Sequence, residues 1–329
     1  MVMDMMDELR RRGEEINEYL MQYLERGEYT KLIEAVKHYP SAGGKRLRPV
    51  MAVVSAEAVG GEGSRALPFG CCLEIIHNFT LVHDDVMDED PVRRGRTALH
   101  IKYDIPTAII AGDALFARAF EVLAETEVDD GRLRQLLSLV AKTVWTVAEG
   151  QQMDIDNESR DTVSVSEYLR MIEKKTAVLF SCAAEGGAII GGGTKEQVTG
   201  MREYARLLGI SFQIWDDVLG ITADEKTLGK PVGSDIRKGK RTLIVLHALE
   251  NLDPSRRSAL LSILGKEDAS DGEVRRAIDI MERAGSIEYA REQALEHVER
   301  AKALLSCLDE SGGRTFLLRL ADFAVGRAL

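Results

Sequence analysis

Long apolar runs are missing from this 329-residue chain: no uninterrupted stretch approaches the length that spans a bilayer, so a transmembrane segment is not expected. Proline is scarce, with seven residues, most of them at breaks in the helical pattern or near helix starts. Cysteine is scarcer still: Cys71, Cys72, Cys182 and Cys307. Two of these are neighbours and none shows CxxC spacing, which argues against a zinc site and for buried free thiols in a reducing compartment. Positive charge is in deficit. At a net charge of −11 a broad basic face for a phosphate backbone is not expected, and nucleic acid is a poor partner. Small phosphates can still be bound by local basic clusters. The opening "MVMDMMDELRRRGEEINEYL" is acidic and amphipathic, unlike a signal peptide, and a cytoplasmic protein is the expectation.

What the chain has in abundance is helical periodicity. Apolar residues make up 45% and charged residues 29%, an ordinary balance for a soluble globular protein. "DELRRRGEEINEYLMQYL" places Leu9, Ile16, Leu20 and Leu24 on one stripe, and "REYARLLGISFQIWDDVL" and "REQALEHVERAKALLSCL" share the period. Strand alternation is scarce. Length alone suggests about two domains, but no repeat, low-complexity linker or composition shift marks a boundary. The pattern predicts one all-α domain over residues 1–329, a single large helical bundle. "GGG" at 191–193 lacks GxGxxG spacing and a preceding strand, and reads as a turn.

One apolar segment, "CCLEIIHNFTLV", runs directly into "HDDVMDEDPVRRGRT". Asp84 and Asp88, four apart, share a helix face. Two carboxylates that close repel each other, and when desolvated they take up a proton or recruit a cation. Hard oxygen ligands suit Mg²⁺, which leaves positions for water and substrate phosphate. A solvated helix end explains this cluster equally well. A second cluster tips the balance: "SFQIWDDVLGITADEKTLGKPVGSDI" also ends an apolar helix in paired acids, Asp216 and Asp217, with Lys230 and Lys240 downstream. Such a pair of motifs could hold several Mg²⁺ ions, with basic residues on the phosphate oxygens. A third group, "SAGGKRLRP", sets Lys45, Arg46 and Arg48 behind Gly43 and Gly44, where backbone can approach a ligand and a helix N-terminus favours an anion. Taken alone it is better read as a basic surface loop.

"GGKRLRP", "LVHDDVMDEDPVRRGRTALH", "GQQMD", "KKTAVLF", "FQIWDDVLG" and "LGKPVGSDIRKGKRT" occur in that order along nearly the whole chain. In this the sequence resembles the trans-isoprenyl diphosphate synthases. The resemblance implies an all-α, Mg²⁺-dependent homodimer that joins isopentenyl diphosphate to an allylic diphosphate. By motif register, Asp84, Asp88 and Asp216 resemble the metal ligands. Gly44, Lys45, Arg48, His77 and Arg94 resemble the isopentenyl diphosphate site. Arg93, Lys175, Thr176, Gln213, Lys230 and Lys240 resemble the allylic site. The second motif departs from DDxxD, because Gly220 stands where a third aspartate is usual and Asp224 comes four residues too late. A terpene cyclase and a non-catalytic subunit of a heteromeric synthase are the rivals. The basic "GGKRLRP" cluster speaks against the first and the intact first motif against the second.

Product length rests on the residues before Asp84. Thr80 lies about 40° from Asp84 on the wheel and roughly 6 Å deeper, and is too small to block a tail. Phe79 points about 140° away. A single aromatic five before the motif, with no insertion, resembles synthases that stop at twenty carbons. The expectation is a geranylgeranyl diphosphate synthase of archaeal type, with farnesyl diphosphate or a dual product as the alternative.

Overall fold

The computed structural model describes residues 5–158, 160, 162–223 and 232–326. Its helices are α1 (Met5–Leu24), α2 (Thr30–Lys37), α3 (Leu47–Ala58), α4 (Leu67–Met87), α5 (Leu99–Lys102), α6 (Ile105–Ala124), α7 (Asp130–Glu158), α8 (Val165–Ile172), α9 (Val178–Ile190) and α10 (Lys195–Thr222). Further helices cover Ser234–Arg237, Leu243–Asn251, Pro254–Leu261, Asp271–Arg283, Ser286–Leu304 and Gly312–Gly326. The all-α expectation holds. The stripe Leu9, Ile16, Leu20 and Leu24 is buried along α1, and 191–193 follows the end of α9 as a turn. None of the described helices is long and apolar enough to cross a membrane.

Among the described residues the strands are two short ones, β1 (Val92–Arg93) and β2 (Arg96–Thr97), paired antiparallel. The sequence pattern did not reveal them. Two residues per strand are too few to show alternation. The turn between them holds Arg94 and Gly95 at φ 52° and 70°, the pair of positive φ values that a two-residue type I′ hairpin needs.

The chain divides into two compact units. The first comprises Met1–Val144, Leu179–Arg202 and Leu305–Leu320. Its centre is α4, which starts with Pro68 in the first turn, where proline's missing N–H is harmless. From Phe69 to Ile76 every residue of α4 is buried, and its most extensive packing is on α6 and then α3. α6 is set by Asp104, whose side chain caps the Thr107 N–H at 2.6 Å. Cys71, Cys72 and Cys182 are buried free thiols as expected, but Cys307 is only half-buried, so that expectation holds for three of four. Burial drives the Cys72 thiol far above its usual range.

The second unit comprises Trp145–Val178, Glu203–Leu304 and Ala321–Leu329. Ser164 and Glu167 form a reciprocal capping box that starts α8. Between α8 and α9 the backbone widens into a π-helical turn, Glu173–Ala177, a distortion often met at functional sites. The core here joins Tyr168 and Ile172 to Ile214, Trp215 and Val218 of α10 and to Leu243 and Ile244.

Candidate active site

The first acidic motif closes α4. The Asp88 N–H donates to the Asp84 carbonyl at 2.7 Å, so the helical turn continues through Asp88 and the two carboxylates lie one turn apart on one face. Asp85 sits about 100° round the helix and turns inward. It is fully buried, and its Oδ2 accepts from the Tyr39 hydroxyl at 2.5 Å. Its Oδ1 accepts from Arg93 Nε at 2.7 Å and Nη2 at 2.5 Å. Tyr39 in turn accepts from the Leu99 N–H at 3.0 Å. Arg93 is thus held by a carboxylate of the same motif, with Asp90 as a further partner at 3.3 Å.

The basic groups of the first unit have different fates. Arg46 adopts φ 48°, an uncommon conformation for a non-glycine residue, and is 3% exposed. Its guanidinium donates to Glu74 at 2.6 Å, Asn17 at 2.7 Å and the Pro40 carbonyl at 2.5 Å. Although it sits inside a basic run, Arg46 is a buried strut between the 40–46 segment and α4. Its neighbours carry the surface charge: Lys45 is exposed, and Arg48 is half-buried with its guanidinium 4.7 Å from the centre of the Phe180 ring. Arg94, at the tip of the hairpin, donates to the Gly43 carbonyl at 3.0 Å, and a Cβ at Gly44 would lie 3.6 Å from its guanidinium. His77 projects from α4 into this group. Burial, and then the charges of Arg48, Arg94, Arg46 and Arg93, hold its pKa well below 6.5. The imidazole is therefore neutral at pH 7, a hydrogen-bonding group among cations. Gly44, Arg48, His77 and Arg94 come together here, and Lys45 is exposed next to Gly44 in the chain.

Between His77 and Asp84 on α4, Thr80 donates to the His77 carbonyl at 2.8 Å. Phe79 is half-buried, with its ring centre 4.9 Å from that of His83 and 5.3 Å from that of Phe116 on α6.

The second acidic motif lies near the end of α10. Asp217 is buried, and it accepts from the Tyr168 hydroxyl at 2.7 Å and from Gln213 Nε2 at 2.9 Å. Burial, then the charge of Asp235, push its carboxyl up to about 7. Gln213 Oε1 accepts from Thr176 at 2.9 Å, so a chain of hydrogen bonds runs from Thr176 through Gln213 to Asp217. Asp216, half-buried, is the other acid of the pair. A Cβ at Gly220 would lie 3.5 Å from Asp235 Oδ2. A carboxylate from the short helix Ser234–Arg237 thus approaches the position where the third aspartate of the motif is missing.

Lys175 and Thr176 sit in the π-helical turn. Lys175 Nζ is 2.6 Å from Asp154 Oδ2, and Lys240 Nζ is 3.9 Å from the same oxygen. Asp154 and Asp235 were not singled out by sequence reasoning. Both lie in quoted motifs, "GQQMD" and "LGKPVGSDIRKGKRT", so register was the available signal. Lys230 and Asp224 lie outside the described residues. Among the described residues no three His, Cys, Asp or Glu side chains converge on one point. The donors at both motifs are carboxylate oxygens, which fit a hard divalent cation whose shell is completed by water and phosphate oxygens.

The chain matches the polyprenyl synthetase family model over residues 29–281. It is 40% identical over 327 residues to the geranylgeranyl diphosphate synthase of Methanosarcina mazei, covering 99% of each chain. Its structure superposes with TM-score 0.93 on the geranylgeranyl pyrophosphate synthetase of Pyrococcus horikoshii, at 42% identity and 98% coverage of both chains. A geranylgeranyl pyrophosphate synthase of Corynebacterium glutamicum, solved with isoprenyl diphosphate and magnesium, matches at TM-score 0.89 and 26% identity, over 96% of this chain and 98% of that one.

Proposed function

Because the chain belongs to the polyprenyl synthetase family, and so is a prenyltransferase, we propose that it is a geranylgeranyl diphosphate synthase. It extends dimethylallyl, geranyl and farnesyl diphosphates with isopentenyl diphosphate, and residues 1–329 act as one synthase domain. The names of relatives at about 40% identity support the twenty-carbon product. The observation that carries the reading is the grouping of Arg48 and Arg94, with Arg46 and Arg93 beyond them, around a neutral His77. Such a group supports binding of a second diphosphate beside the one at the acidic motif, and a cyclase, with one diphosphate to bind, has no use for it.

In this mechanism Asp84, Asp88 and Asp216 would hold Mg²⁺, which when bound would supply Lewis-acid stabilisation of the charge that builds on the leaving diphosphate. Arg93, Lys175, Lys230 and Lys240 bind the oxygens of the allylic diphosphate with charge-assisted hydrogen bonds. Asp85 keeps the Arg93 guanidinium aimed. Lys45, Arg48, His77 and Arg94 fix isopentenyl diphosphate so that its double bond attacks the allylic cation. The oxygens of Thr176 and Gln213, ordered by the chain to Asp217, face that cation, and the departed diphosphate takes the final proton. A homodimer is part of the proposal, supported by the exposed Ile105, Ile109 and Ile110 on α6, as are a cytoplasmic setting and a role in lipid synthesis.

The test is incorporation of labelled isopentenyl diphosphate with each allylic primer, with and without Mg²⁺, followed by chromatography of the products. A Mg²⁺-dependent twenty-carbon product is expected. A fifteen-carbon end product would turn the assignment to farnesyl diphosphate. No incorporation by the chain alone would leave the non-catalytic subunit.

A further inference from the structure

The motif "GQQMD" at 150–154 has no part in the mechanism above, yet the structure sets it against two residues that do. Gly150 and Asp154 are four apart on α7 and share a face. At Gly150 the backbone of the π-helical turn comes so close that a Cβ would lie 2.3 Å from the Lys175 nitrogen and 2.7 Å from its Cα, which no side chain can satisfy. One turn along, Asp154 receives the Lys175 ammonium at 2.6 Å, and the Lys240 ammonium lies 3.9 Å from the same Oδ2. The lysines come from segments 65 residues apart in the chain, Lys175 in the turn before α9 and Lys240 just before the helix Leu243–Asn251. Two flexible cations that close repel each other unless an anion lies between them. All three side chains are largely shielded: 14% exposed for Asp154 and 22% for each lysine. Burial favours a protonated Asp154, but Lys175, Lys240 and Lys238 outweigh it and hold the carboxyl below its usual range, so the anion is present at neutral pH.

We propose that Gly150 and Asp154 form a positioning device for the allylic diphosphate: Gly150 admits the π-helical turn, and Asp154 pins the Lys175 and Lys240 ammoniums side by side. The inference rests on the synthase reading and deepens it. In this role Asp154 acts on the two lysines and not on the diphosphate itself. It is an acid inside a site for an anion, and its presence there is explained by order rather than by charge. That distinction fixes the sign of the experiment. Were Asp154 only a negative charge near the diphosphate, removing it would tighten binding of the allylic substrate. As a pin, its removal lets the lysines swing apart and weakens that binding.

The test compares wild type, Asp154→Asn and Asp154→Glu in steady-state kinetics, varying farnesyl diphosphate and isopentenyl diphosphate separately and titrating Mg²⁺. Circular dichroism melts on the same preparations establish that each variant is folded. Losing a charge-assisted contact at this strength predicts a rise of at least about fivefold in the KM for farnesyl diphosphate in Asp154→Asn. The KM for isopentenyl diphosphate and the half-saturating Mg²⁺ concentration stay unchanged. Asp154→Glu, which keeps the carboxylate, recovers most of the loss. An unchanged or lower KM for farnesyl diphosphate overturns the proposal, as does an equal rise for both substrates. A rise in the half-saturating Mg²⁺ concentration would make Asp154 a metal ligand instead and overturns it too. A wild-type protein that condenses nothing rejects the synthase reading itself, a result separate from any of these.

Discussion

Asp217 offers a test that needs no substrate. Its carboxyl, 3.8 in an unperturbed chain, is pushed up to about 7 by burial and by Asp235. A group whose folded pKa is raised contributes stability in full below the unfolded pKa, and loses it as pH rises through the folded pKa. Below pH 3.8 both states are protonated. Between 3.8 and 7 the unfolded chain gives up the proton and the folded chain keeps it, so the folded state is progressively penalised. At 1.36 kcal/mol per pKa unit, the loss between pH 5 and pH 7 is about 2 kcal/mol. His77 works in the opposite sense. With its folded pKa held well below 6.5, the unfolded chain takes up the proton first, and stability falls as pH drops below about 6.5. The net profile of the wild type mixes the two, so the informative quantity is the difference from Asp217→Asn. The carboxamide keeps the shape and cannot ionise. It loses one acceptor for Tyr168 or Gln213, a penalty of about 1 kcal/mol that does not vary with pH.

The assay is denaturant unfolding of both proteins at pH 5, 6, 7 and 8 with a chelator present, followed by helical circular dichroism. The stability of Asp217→Asn relative to wild type should rise by about 2 kcal/mol from pH 5 to pH 7 and then level off. Parallel profiles would refute the reasoning, since Asp217 would then be ionised in the folded protein at pH 5 despite its burial.

Asp84→Ala, Asp88→Ala and Asp216→Ala should each lower turnover roughly a hundredfold or more, and near-normal rates for all three at limiting Mg²⁺ would remove the metal assignment. Arg94→Ala should raise the KM for isopentenyl diphosphate more than that for the allylic substrate, and Arg93→Ala the reverse. Because Asp85 holds Arg93, Asp85→Asn should mimic Arg93→Ala in milder form, and equal effects on both substrates throughout would sink the division. Thr80→Phe should shift product from twenty carbons toward fifteen without slowing the first condensation, as read by chromatography of labelled products. For Phe79→Ala, thermal stability and product profile are measured on one preparation. The half-buried ring leaves a cost below the ~3–5 kcal/mol of a fully buried one, and products beyond twenty carbons are expected if the ring closes the tunnel. Unaltered profiles in both variants would mean that the tail runs along another helix.

Much of the candidate site follows from local rules. The spacing of Asp84 and Asp88 implies a shared face on any helix, and α4 supplies the helix. The periodicity of α1 implies its buried stripe. Arg46 shows where that kind of inference stops. In "GGKRLRP" it is one cation among three, and nothing local separates it from Lys45 or Arg48. The separation comes from Glu74, 28 residues away on α4, which claims the guanidinium at 2.6 Å. The π-helical turn was hidden for a similar reason. "EKKTA" has no unusual composition, and the widened backbone is admitted by a missing side chain on α7, at Gly150. The hairpin was hidden by its brevity.

The paired aspartates carry this furthest. Each motif offers two adjacent acids, and adjacent residues on a helix point about 100° apart, so the two cannot serve one ligand in the same way. In both motifs the second acid turns inward to a buried tyrosine hydroxyl distant in sequence. Asp85 receives Tyr39, 46 residues earlier, and Asp217 receives Tyr168, 49 residues earlier. Each inward acid then orders a residue assigned to the allylic substrate, Arg93 in one case and Gln213 in the other. Helical geometry says that the second acid must face elsewhere, but not what it meets there. The tertiary partners supply that, and under the proposed function they turn the doubled aspartate from redundancy into a division of labour: an outward acid proposed for the metal, and an inward one that orders a neighbouring side chain.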